Sequence, residues 1–133
     1  MHKPHAMATI PALDLERAKA WYKDKLGLTP AGQDPLGGAV YELADGTRFL
    51  LFQSSGAPSG THTQLALEVE DADSTFRDLR GRGVKFEEYD VPGLKTEDGV
   101  ATFGELKSAW FHDSEGNLIA IGTPVPVTAV ART

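Results

Sequence analysis

Hydrophobic and polar positions along this chain follow two periods in alternation, and the pattern is written twice. Met7-Ala8-Thr9-Ile10-Pro11-Ala12-Leu13 reads as a strand over residues 6–13 and runs into Asp14. A carboxylate there can accept from the free amides of a helix's first turn. Leu15, Ala18, Trp21, Tyr22 and Leu26 follow at steps of three and four, one apolar helical face. Gly27 supplies the left-handed residue that stops the helix. The same order returns further on. Residues 64–69 alternate, with Leu65, Leu67 and Val69 on one face; Asp71 or Asp73 caps a helix whose core face is Ala72, Phe76 and Leu79; Gly83 ends it. The offset is about 57 residues. A unit of this size, present twice, predicts two copies of one supersecondary motif paired about a pseudo-twofold axis, since a solenoid needs at least three. Paired units leave a cleft between them, and a cleft is where a ligand sits.

The remaining segments complete each copy. Residues 30–38 read as a loop, and the β-rich runs 39–43 and Arg48–Gln53 are joined through Asp45-Gly46, a hairpin signal. Residues 54–62 are a Gly/Ser/Pro-containing linker. In the second half, 84–89 predicts a strand, and the polar, glycine-bearing stretch 90–107 a mobile loop around a short strand. Residues 109–112 and Leu118–Gly122 predict a last hairpin about Glu115-Gly116-Asn117. Each half is βαβββ. The expectation is one α+β domain over residues 1–133, with modules at 6–56 and 63–123 and a frayed tail at 124–133.

Composition narrows the function classes. A chain of 133 residues can bury a real core. A net charge of −6 argues against nucleic acid or an anionic membrane as partner. Without cysteine there is neither a disulfide framework nor a thiolate metal site. The apolar runs are too short to span a bilayer, and Met1-His2-Lys3-Pro4-His5 lacks the apolar stretch of a signal peptide, so a cytoplasmic location is the default expectation. No Ser–His–Asp spacing, phosphate loop or dinucleotide fingerprint is present.

Asp14-Leu15-Glu16-Arg17-Ala18, then Trp21-Tyr22, then Leu26-Gly27-Leu28, resembles the first-module signature of the vicinal oxygen chelate superfamily, and Asp113-Ser114-Glu115-Gly116-Asn117-Leu118 resembles its last hairpin. That superfamily includes glyoxalase I, extradiol dioxygenases, fosfomycin-resistance enzymes and bleomycin-binding proteins. The resemblance implies two βαβββ modules forming a curved mixed sheet around a cavity, in a homodimer whose cavity lies within one chain or is shared by two. It also implies where metal ligands would stand. Those positions hold Met7, Leu50, Gln64 and Ala120. A divalent cation of this chemistry wants imidazole or carboxylate. Two hydrocarbons, a thioether and one neutral amide do not supply it, so the expectation is a site without metal or other cofactor. A divalent metal held by other residues is the alternative.

Strand parity predicts the rest of the cavity. A regular five-residue turn sets Trp110 opposite Ala120, Phe111 opposite Ile119 and His112 opposite Leu118, and opposite residues share a face. Trp110, His112 and Ala120 then face the cavity with Gln64 and Glu68, while Phe111 and Ile119 pack beneath the helices. Trp21 and Tyr22 are expected to pack their helix. His2, His5 and His62 read as chance neighbours. Glu87-Glu88-Tyr89-Asp90 reads as a solvated strand end, or else as a rim attracting a cationic ligand. The expected function is sequestration of a small organic molecule, an antibiotic or related natural product, without metal. The alternatives are a metal lyase or dioxygenase with displaced ligands, and metal-free acid–base catalysis through His112 or Glu68.

Overall fold

The computed structural model describes residues 2–126. Asp14 caps α1 (Leu15–Trp21) by accepting from the Arg17 amide at 3.0 Å. The helix then widens into one π-helical turn, Tyr22–Leu26, and stops where Gly27 takes φ 69° and the Leu28 amide reaches back to the Tyr22 carbonyl. In the second copy Asp71, not Asp73, caps α2 (Ala72–Gly81), accepting from the Ser74 amide at 3.1 Å.

Two mixed sheets carry the helices, and neither closes on itself. The first has the order β1-β4-β3-β2, from β1 (Ala8–Ala12), β2 (Gly32–Gln33), β3 (Ala39–Glu42) and β4 (Arg48–Gln53), with β1 parallel to β4. The second has the order β5-β10-β9-β8-β7-β6, from β5 (Thr63–Glu68), β6 (Asp90–Val91), β7 (Leu94–Glu97), β8 (Val100–Phe103), β9 (Leu106–His112) and β10 (Leu118–Gly122), with β5 parallel to β10. The class is α+β, as expected.

Three segments depart from the sequence reading. The loop 30–38 contains a two-residue strand, β2, paired to β3. Residues 84–89 are not a strand. They run irregularly beside the sheet, tied by the Glu87 amide to the Trp110 carbonyl at 2.7 Å and by the Tyr89 amide to Thr96 Oγ1 at 2.8 Å. Residues 90–107 are not one loop but a meander of short strands. Gly93, Gly99 and Gly104 stand at its turns with φ of 83°, 78° and 65°, so glycines that suggest looseness in the sequence instead allow tight reversals. At Gly99 the backbone also passes so near Phe86 that a Cβ would collide with it. Of the tail, 127–133 lies outside the described residues.

The core is one cluster shared by both modules. Tyr41 and Phe49 stack at 4.5 Å, Tyr22 packs on both, and Trp21 reaches from α1 to Phe111 of the second sheet at 6.1 Å. A buried polar lock joins the modules beside these rings. The Tyr22 hydroxyl donates to Asp113 Oδ2 at 2.7 Å. Asn117 Nδ2 donates to the same oxygen and to the Pro11 carbonyl, at 2.8 and 2.9 Å. Arg17 grips Glu115 with two bonds, through Nε at 2.8 Å and Nη2 at 3.0 Å, and the Asp14 amide donates to Glu115 Oε1 at 2.9 Å. The last turn of the second module is thereby plugged into the β1–α1 junction of the first. This sets how the open faces of the two sheets lie.

Candidate functional site

β9 and β10 pair as the turn length requires: Trp110 opposite Ala120, Phe111 opposite Ile119, His112 opposite Leu118. β5 adds Ala66 opposite Ala120 and Glu68 opposite Gly122. Phe111 and Ile119 are fully buried in the core beneath the helices. The other face carries the rows Ala66–Ala120–Trp110 and Glu68–Gly122–Ser108.

A hollow of about 240 Å3 opens over these rows. Its floor is made of small residues, Ala66, Ala120 and Gly122, and Trp110, Leu106 and Phe103 rise around it. The small floor gives the depth, and the large walls give contact area. Gly122 is needed for a second reason: a Cβ there would run into the Lys107 carbonyl of β9. The Trp110 ring is half-buried and is braced by Tyr89, edge to face, at 5.6 Å. Burial and the neighbouring Glu87 raise the Tyr89 phenol above its ordinary value, so it stays a neutral brace at any pH near 7.

Glu68 lines this hollow and also a wider cleft of about 540 Å3 at the seam between the modules. Its Oε2 accepts from the Val125 amide. The wider cleft is walled by Ala8, Phe49 and Leu65 and rimmed by Arg48 and Glu70, and it is the gap left where the two sheets diverge. The Trp110 hollow has the more specific lining, nearly all apolar, as small-molecule sites have.

The remaining predicted site residues lie elsewhere. Met7 precedes β1 and is partly exposed. Leu50 stands between Thr9 and Val40 on the first sheet. Gln64 spends its amide nitrogen across the seam, donating to the Thr9 carbonyl at 3.3 Å. None of these three lines the Trp110 hollow. His112 is also outside it. Its Nδ1 lies 2.8 Å from Glu87 Oε1 and its Nε2 2.9 Å from the Gly60 carbonyl. Glu87 is the carboxylate partner that the sequence alone does not name, because residues 84–89 reach His112 only by leaving strand geometry. Tyr89 is likewise brought to Trp110 by that segment.

The four positions equivalent to metal ligands, Met7 just before β1, Leu50 on β4, Gln64 on β5 and Ala120 on β10, therefore offer a thioether, two hydrocarbons and an amide whose nitrogen is already used. That donor set does not fit a divalent cation. Among the described residues, no group of three or more His, Asp or Glu gathers within reach of one ion.

A family description, the glyoxalase/bleomycin resistance protein/dioxygenase superfamily, matches residues 4–121. The chain belongs to this superfamily. It is the family that the Asp14–Leu28 and Asp113–Leu118 motifs resemble. Among solved structures, UcmS2 is similar with a TM-score of 0.72 and 22% identity, over 93% of this chain and 100% of that one. TnmS3, an antibiotic binding protein from Streptomyces sp. CB03234, is similar with a TM-score of 0.66 and 23% identity, over 94% and 99%. The oxidase ChaP-H2 gives 0.68 and 21%, over 94% and 96%. At these identities the likeness is one of fold. No curated protein matches the chain. Superfamily members often use a metal and are often dimeric, and binding proteins and enzymes share the fold. No described helix is long and apolar enough to cross a membrane.

Proposed function

We propose that this superfamily member is a metal-independent binding protein that sequesters a small, flat, largely apolar organic molecule, an antibiotic or related natural product, in the cytoplasm. The observation that carries this reading is the Trp110 hollow. An indole braced edge-on by Tyr89 stands over a floor of Ala66, Ala120 and Gly122. Such a surface stacks a planar ligand and offers no Lewis acid. The antibiotic-binding fold relative TnmS3 supports the ligand class. A homodimer completes the site in this reading. Leu36, in the turn between β2 and β3, and Val91 and Phe103, at the ends of β6 and β8, are exposed apolar side chains, and a second copy would cover them.

The test is a thermal-shift screen of natural products and of nickel, zinc, manganese and iron against tag-free protein, followed by calorimetry on any hit. A ligand that raises the melting temperature and whose affinity falls by about 1–3 kcal/mol in Trp110→Ala supports the reading. Stoichiometric binding of one of the metals, with turnover, overturns it. One observation favours a second reading, metal-free acid–base catalysis: the His112–Glu87 pair at 2.8 Å. Both ring nitrogens are engaged, so catalysis would require one to be released. Turnover of any ligand found in the screen, abolished in His112→Ala, is the result that would establish it.

A further inference from the structure

His112 ends β9, and its ring is held at both nitrogens by acceptors: a carboxylate oxygen of Glu87 and the backbone carbonyl of Gly60. Neither partner can donate. Contacts of 2.8 and 2.9 Å are both hydrogen bonds only if both nitrogens carry protons. The geometry is that of an imidazolium. Gly60 lies in the linker that joins the two modules. It takes φ 71°, and a Cβ on it would lie 2.8 Å from the Gly116 carbonyl. The linker is therefore laid against the β9–β10 turn, and His112 is the side chain that ties it there.

We propose that His112 is a protonation-gated strap: charged, it bridges Glu87 to Gly60 and pins the inter-module linker to the last hairpin; neutral, it lets the linker go. The order of release follows from the two acceptors. The bond to Glu87 is the stronger because its acceptor is ionised. A neutral ring keeps the proton on Nδ1 and turns the Nε2 lone pair toward the Gly60 carbonyl. That contact is then repulsive, and the linker is the movable partner.

The surrounding charges are mixed. Glu87 and Asp113 favour the imidazolium. Lys25 and Lys85 line the same recess of about 200 Å3 as the ring. Lys25 spends its ammonium on the Arg82 carbonyl at 2.8 Å. His62, two residues beyond Gly60, is paired through Nδ1 with Ser59 Oγ at 3.1 Å. The Gly60 bond, with Glu87 behind it and partial burial against it, raises His112 above its ordinary 6.5. A group raised in the fold contributes its stabilisation fully below the unfolded value and loses it as pH climbs through the folded one. Release thus falls on the alkaline side of 6.5. The recess is separate from the Trp110 hollow, so the strap stands or falls independently of what that hollow binds.

The test uses the full chain, with nitrogen-detected imidazole spectra and amide hydrogen exchange from about pH 5.5 to about pH 9. At the acid end both His112 nitrogens should be protonated. With rising pH, Nε2 should lose its proton first, and the Thr61 amide, which donates to Ser59 Oγ at 3.4 Å, should open about tenfold more, beyond the intrinsic pH dependence, roughly the worth of one hydrogen bond to a charged group. His112→Gln keeps a donor but cannot titrate, so its linker exchange should follow the intrinsic dependence alone. Glu87→Gln should move linker release to lower pH. An Nε2 without a proton at the acid end, or the same extra opening in His112→Gln, overturns the proposal.

Discussion

Glu115 should make this protein acid-sensitive by a calculable amount. Its side chain is fully buried, and it accepts from Arg17 twice, from the Asp14 amide and from Ser114 Oγ. The Arg17 bonds, against the cost of burial and helped by the Asp14 amide, hold its carboxyl down from 4.5 to about 2. At about 1.36 kcal/mol per unit the drop is worth about 3 kcal/mol at neutral pH. The Arg17 side chain is 55% exposed, so solvent screening brings the expected figure toward about 2 kcal/mol. The sign is that of a depressed acid. The stabilisation is complete above 4.5 and is lost as pH falls toward 2, with about two-fifths gone by about pH 3.5. Glu115→Gln cannot titrate. Urea melts of both proteins at about pH 7, 5 and 3.5 should show a stability gap that narrows by about 1 kcal/mol at the acid end. A gap that stays constant with pH would refute the argument, because it would mean that Glu115 contributes by shape and not by charge.

Tyr22→Phe removes the hydroxyl that Asp113 accepts from and leaves a buried carboxylate oxygen with one partner fewer. It should lower the unfolding free energy by about 1–3 kcal/mol in urea melts. Gly122→Ala drives a methyl into the β9 backbone, and an overpacking cost of about 1–3 kcal/mol should appear as a lower melting temperature. Ala120→Phe should fill the hollow from its floor. A ligand found by screening should then bind at least about tenfold more weakly by calorimetry, while the half-exposed position keeps the loss of stability small.

The sequence carried the frame further than the site. Asp14, Gly27, Asp71 and the alternation of β5 act locally, so their neighbours in the chain suffice to read them. The register of β9 on β10 followed from a turn length. The misread stretch, 84–107, is where the deciding contacts are distant. Glu87 pairs with Trp110 and His112, Tyr89 braces Trp110, and Phe86 closes over Gly99. Nothing in local periodicity announces those partners. The lock around Asp113, Glu115 and Asn117 had a visible signal, the last-hairpin motif that Asp113–Leu118 resembles, although its two acids become buried only in the fold. Its target, the β1–α1 junction about a hundred residues earlier, had none.

Fold and site rest on different faces of the same sheets, and this explains how the chain can keep one and change the other. Ile10, Leu51, Phe111, Ile119 and the Tyr22–Asp113 and Arg17–Glu115 contacts all lie on the helix side or at the module junction. Leu50, Trp110 and Ala120 are half-buried on the open side, and Gln64 makes one long bond across the seam. A metal donor on the open face supports no core packing, so hydrocarbon can stand in its place without unsettling the buried lock. The converse is a constraint. Any change that alters how the last turn seats on α1 acts at the β9–β10 turn, whose two strands carry Trp110 and Ala120. Substitutions in the lock, far from the hollow, should therefore disturb ligand binding before they unfold the chain. Tyr22→Phe tests this directly: a ligand affinity unchanged from the parent protein, alongside a measurable loss of stability, would show that the two faces are uncoupled.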